Sequence, residues 1–115
     1  MMNKRKLGAK YEKVAAAFLE KQGYEVIKYN YRCFFGEIDL IAKDADMLVF
    51  CEVKYRKNAS LGSALEAVNY HKQQIIVKCA MQYLMARYEK EIPCRFDVIG
   101  VQGTQICHIK NAYQG

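Results

Sequence analysis

The sequence predicts an α/β sandwich with a mixed sheet, in the order α-β-β-β-α-β-β. Two strand-like runs, Glu37–Ala42 and Met47–Tyr55, flank a short polar connector. A helical pattern precedes them, and a long second one separates them from strand-like runs near the end. A hairpin followed by a helical crossover gives both antiparallel and parallel neighbours. The chain has 115 residues, 52% of them hydrophobic, which suits one domain over 1–115 with its own core.

Met1–Lys6 is a basic leader, expected to be mobile. From about Gly8 to Gln22, Leu7, Tyr11, Val14, Ala15 and Phe18 recur at helical spacing, and Gly23 suits the stop. Glu12 lies at the edge of that stripe, where an ordinary surface acid near a helix N-terminus is an adequate explanation. Tyr24–Tyr31 alternates as a strand, and Asn30–Phe35 leads into the hairpin. Lys43-Asp44-Ala45-Asp46 is its turn. Lys57–Gly62 is a polar loop. Ser63 and Glu66 form a capping-box pattern for a helix expected to run to about Tyr88. Its buried stripe is Leu65, Val68, Ile75, Ile76, Cys79, Tyr83 and Leu84. Cys94–Val101 and Gln105–Lys110 are the last strands, and Asn111–Gly115 reads as a mobile tail.

Lys and Arg outnumber Asp and Glu by 18 to 12, a net charge of +6, which favours an anionic partner such as nucleic acid. The five cysteines are odd in number and lack CxxC spacing. Cys51 and Cys79 read as small core residues in a reducing cytosol, so a cytoplasmic location is expected. His71 and His108 make no ligand cluster with them, which argues against zinc. No run is long enough for a membrane span, and the N-terminus is too poor in apolar residues for a signal peptide.

The chemistry concentrates in the hairpin. Alternation puts Glu37, Asp39 and Ile41 on one face of the first strand. It puts Phe50, Glu52, Lys54 and Arg56 on one face of the second, with Cys51, Val53 and Tyr55 opposite. Charge in a strand interior must be paired or hold a metal, and carboxylates suit hard cations such as magnesium. Asp39, Glu52 and Lys54 are therefore the candidate catalytic group, with Asp39 and Glu52 as metal ligands. The plain alternative is a solvated Glu52–Lys54 pair and an Asp39 that caps a turn. Lys72 falls at a core-facing helix phase, between Val68 and Ile76, and must snorkel, pair or reach a site. Arg32, Arg56, Lys57 and Lys72 are candidate phosphate contacts. Asp97 is expected to pair with Arg95 or a helix lysine.

The hairpin resembles the D…ExK core of the PD-(D/E)xK nuclease superfamily. The wider pattern resembles the YraN family, of the UPF0102 type, small bacterial proteins similar to archaeal Holliday junction resolvases. The marks are Gly8 and Glu12 before an Ala-rich helix, Asn30-x-Arg32, GEIDLI at Gly36–Ile41, EVKYR at Glu52–Arg56, Lys72-Gln73 and RFDVI at Arg95–Ile99. They span nearly the whole chain. Two departures are Tyr11, where the family usually has Gly, and Phe34-Phe35, where small or basic residues are usual.

The resemblance implies a restriction-endonuclease-like fold and Mg²⁺- or Mn²⁺-dependent hydrolysis of DNA, with branched or junction DNA as one substrate class. It raises Glu12 to an accessory metal-site acid and the Val53 carbonyl to a further metal ligand. Resolvase-like relatives act as dimers, so a homodimer is one implied assembly. The rival expectations are a nucleic-acid-binding module of the same fold without turnover, and an interaction protein that meets no nucleic acid.

Overall fold

The structure, a computed structural model, describes residues 4–55 and 68–115, and side chains from residue 8 onward. Its elements are α1 (Lys4–Lys21), β1 (Glu25–Arg32), β2 (Glu37–Asp44), β3 (Met47–Tyr55), α2 (Tyr70–Arg87), β4 (Cys94–Gln102) and β5 (Gln105–Tyr113). The strands form one sheet in the spatial order β1-β2-β3-β4-β5. β3 and β4 are parallel, and the other neighbours are antiparallel. This is the mixed α/β sandwich expected, with the crossover segment between β3 and β4 carrying α2.

A helix covers each face of the sheet. Ala15, Ala16 and Leu19 of α1 pack on Leu40, Ala42, Val49, Cys51, Ile99 and Val101. Ile76, Cys79, Ala80 and Tyr83 of α2 pack on Ile38, Ile41, Leu48, Phe50, Phe96 and Val98. Because both faces of β3 are covered, its middle reads as a continuous apolar run rather than an alternation. Each large side chain withdrawn from water this way contributes about 1.5–3 kcal/mol.

Several boundaries differ from expectation. α1 begins at Lys4, so the basic Lys4-Arg5-Lys6 belongs to the helix. Its buried stripe is Glu12, Ala15, Ala16 and Leu19, while Tyr11, Val14 and Phe18 are only half-buried. Two alanines let the helix lie close to the sheet, which turns the stripe and carries Glu12 inward. Asn69, not Ser63, caps α2: its Oδ1 accepts the Lys72 N–H at 2.9 Å. Ser63, Leu65 and Glu66 lie outside the described residues. β5 runs on to Tyr113, whose ring stacks on Phe96 at 5.3 Å, so Asn111–Tyr113 is strand rather than tail. Cys79 is not a free core thiol, because it is bonded to Cys33; Cys51 is free and buried.

Candidate active site

β2 and β3 pair from Asp44↔Met47 up to Leu40↔Cys51, and there the pairing ends. Beyond it Glu37 and Ile38 pair only with β1, and Glu52–Tyr55 only with β4. The two strands fork. Side-chain alternation breaks at the same place: Ile38 and Ile41 face the α2 layer, while Leu40 and Ala42 face the α1 layer. Asp39 therefore does not share a face with Ile41, as strict alternation predicts; it sits at the break. Its carboxylate takes over the missing ladder bond, and Oδ2 accepts the Val53 N–H at 2.9 Å. A strand residue directs its N–H and C=O to the same neighbour, so the Val53 carbonyl faces the same gap.

A cleft of about 600 Å³ opens at the fork, lined by residues that include Glu12, Asn30, Arg32, Glu37, Asp39, Glu52 and Val53. Alternation places Glu52 with Phe50 on the α2 side, and the fork lets it reach this cleft. Glu52 is 3% exposed. Lys54 Nζ stands 3.3 Å from its Oε1, and Lys72 Nζ stands 3.7 Å from the same oxygen. Lys72 thus pairs inside the site, reaching down from the first turn of α2. Oε2 is buried and, among the described residues, has no hydrogen-bond partner.

Glu12 completes a row of three acids. It is buried, and it lines the cleft together with Asn30 and Asp39. Asn30 takes a left-handed conformation, φ 49°, which asparagine tolerates better than most residues. Burial pushes all three acids up. Asp39 rises to about 6, because burial and the Glu12 charge outweigh the Val53 N–H and Lys72. Glu52 rises to about 7, because burial and the Asp39 charge outweigh Lys72 and Lys54. Glu12 is raised as well, chiefly by burial. Such a cluster is costly without a counter-charge, and acids raised by burial beside one another in a cleft make it a candidate functional site.

These residues fit a divalent cation. A dehydrated, mutually repelling acid pair with an unmatched oxygen and a facing carbonyl offers hard oxygen donors. Among the described residues, no three His, Cys, Asp or Glu side chains form a ready-made metal cage. Magnesium does not need one, since it commonly takes one or two carboxylates and keeps several waters.

Arg32 lies on the rim, 3.6 Å from Glu37 and largely exposed. Tyr11 and Tyr55 stack at the cleft wall with ring centroids 4.2 Å apart. Arg56 and Lys57 lie outside the described residues.

Asp97 belongs elsewhere. It is fully buried on the α1 side of β4, where it pairs with Arg95 at 3.1 Å, with His108 at 2.7 Å and with the Asn111 N–H at 2.9 Å. Arg95 in turn reaches Asp44. The pairing with Arg95 was legible from the sequence. The His108 contact was not, and only the β4–β5 register brings it in, through Ile99↔His108.

Residues 11–101 match the family described as "Uncharacterised protein family UPF0102". A UPF0102 protein of Lachnoclostridium phytofermentans is 44% identical over 97% of this chain and 96% of its own. One from Caldanaerobacter subterraneus subsp. tengcongensis is 41% identical over 97% of this chain and 98% of its own. One from Psychromonas ingrahamii is 45% identical over 93% of this chain and 88% of its own.

Proposed function

The chain belongs to the UPF0102 family, and we propose that it is a Mg²⁺- or Mn²⁺-dependent endonuclease that hydrolyses phosphodiester bonds in DNA, branched or junction DNA included. One observation carries the proposal. Three acids, Glu12 and Glu52 buried and Asp39 half-buried, and two lysines converge where β2 and β3 fork, with one Glu52 oxygen left unmatched.

Asp39, Glu52 and the Val53 carbonyl would hold the ion, with Glu12 as an outer acid. A bound divalent ion offsets charge on the phosphate and lowers the pKa of water. The Val53 N–H fixes the Asp39 carboxylate, so its free oxygen has a set direction. Lys54, held by Glu52, places an ammonium beside the acids, where a phosphoryl oxygen gaining charge would be stabilised. Lys72 balances Glu52 from α2 and keeps its burial tolerable. Arg32, Arg56 and Lys57 would meet flanking phosphates, which position the substrate without reading sequence.

Among the described residues no helix is long and apolar enough to cross a membrane. A DNA enzyme would work in the cytoplasm, where Cys33 and Cys79 would be kept largely as thiols. Two copies acting together would suit cleavage of both strands at a junction.

The rival, a binding module without turnover, draws on the same two lysines, since they already neutralise Glu52. The test incubates branched and nicked DNA with Mg²⁺ or Mn²⁺. Cleavage by the wild type, lost in Asp39→Asn and reduced at least about 100-fold in Lys54→Ala, is expected. Salt-sensitive binding without cleavage supports the module, and cleavage that survives both substitutions refutes the assigned site.

A further inference from the structure

Phe34 and Phe35 form the tip of the connection between β1 and β2. Cys33 N–H donates to the Gly36 carbonyl at 2.8 Å, and Arg32 pairs with Glu37. The loop is thus a hairpin with a two-residue tip. Such tips favour Asn-Gly or other Gly-containing pairs, and two phenylalanines break that rule. Phe34 is 90% exposed and Phe35 47%. Their rings stand edge to face at 5.4 Å.

The tip is held firmly. Cys33 is bonded to Cys79 of α2. The Phe34 N–H points to Gln82 Oε1 at 3.4 Å, and the Phe35 N–H to Cys33 Sγ at 3.2 Å. Gly36 abuts Ile75 so closely that a Cβ there would lie 2.7 Å from its Cγ2. Lys78 stands over the Phe35 ring at 5.2 Å, and Arg32 lies at the base of the hairpin. With the Phe34 N–H on Gln82 and Gly36 against Ile75, the tip is held even where Cys33 and Cys79 are thiols, and an exposed aromatic pair flanked by cations matches the chemistry of a nucleobase beside a phosphate.

We propose that Phe34, backed by Phe35, is a stacking wedge for an unpaired or unstacked nucleobase, so that the preferred substrate has a branch, gap or fray beside the cleavage site. The proposal rests on the nucleic-acid reading of the neighbouring cleft. Phe34 precedes Asp39 by five residues, at most roughly 16 Å of extended chain, or about five base steps. Cleavage is therefore expected within about five base steps of the branch. Stacking is indifferent to base identity, so the preference is for structure and not sequence.

The experiment measures binding to blunt duplex and to the same duplex carrying a branch or gap, in EDTA and non-reducing buffer, so that hydrolysis plays no part. Wild type is expected to prefer the branched form. Phe34→Ala should reduce that preference roughly 5- to 100-fold and leave blunt-duplex affinity unchanged. Phe34→Trp should retain it. Four results overturn the wedge: a preference untouched by Phe34→Ala, equal loss on both DNAs, no DNA binding at all, or a dimer that Phe34→Ala converts to monomer in sedimentation. An intact preference in a protein that never cleaves leaves the wedge standing and refutes the hydrolase. Cleavage by a protein whose preference ignores Phe34 does the reverse.

Discussion

The Val53 N–H donates to Asp39 Oδ2 at 2.9 Å across the gap where β2 and β3 have ceased to pair. One side chain thus does what a backbone carbonyl does lower in the ladder. Replacing it separates two effects. Asp39→Asn keeps an oxygen acceptor for Val53 and removes a dehydrated charge. Asp39→Ala removes the charge but leaves the N–H unmatched, which costs about 1–3 kcal/mol. At pH 8, the Asp39→Asn protein is expected to melt above wild type in differential scanning calorimetry. The Asp39→Ala protein is expected to melt clearly below Asp39→Asn.

The acid cluster sets a pH dependence. Asp39 and Glu52 titrate near 6 and 7 in the folded chain, above the ordinary range of about 4. Between these values the folded state binds more protons than the unfolded one, so stability falls as pH rises. Roughly one pH unit of linkage from Asp39 and two from Glu52 give an expected loss of about 4 kcal/mol between pH 5 and pH 8. Urea titrations should show it in wild type and show a flatter profile in Glu52→Gln. An equally steep profile in the variant would place the titration elsewhere.

Asp97 works in the opposite sense. Burial pushes its carboxyl up, but His108, the Asn111 N–H and Arg95 overcome this and hold it below the usual value. Its stabilisation is complete above about pH 4 and is lost as pH falls through the lower folded value. Asp97→Ala also strands Arg95 and is expected to cost about 3–5 kcal/mol, read as a lower urea midpoint with an unchanged slope.

Gly36 is required by a close approach. Gly36→Ala would drive a Cβ into the Ile75 Cγ2, and the β-branched Ile75 has little freedom to yield. A loss of about 1–3 kcal/mol is expected on urea denaturation.

The hairpin, its two acids and its lysine were legible because charge inside an apolar strand is conspicuous. Lys72 was legible because it interrupts a helical stripe. Glu12 was legible only through the family resemblance, because Tyr11, Val14 and Phe18 offered an equally apolar face beside Ala15, and burial of Ala16 and Leu19 with Ala15 turns the stripe toward Glu12. The fork was hidden for another reason: a strand's sequence shows its period, and not where its neighbour departs. The Cys33–Cys79 bond and the Asp97–His108 contact join segments whose meeting depends on the whole sheet. The start of α2 was misplaced because Ser63 and Glu66 satisfy a local pattern, while Asn69 is an equally good cap nearer the packed helix.

The most direct measurement is calorimetric titration of Mn²⁺ into the metal-free chain at pH 8. One ion or two are expected to bind, with affinity weakening as pH drops below about 7 because the acids must lose their protons first. Binding should vanish in Asp39→Asn and survive in Asp97→Asn. Absence of Mn²⁺ binding by the folded wild type, or binding unchanged in Asp39→Asn, would contradict the assignment of Asp39 and Glu52 as the cation site.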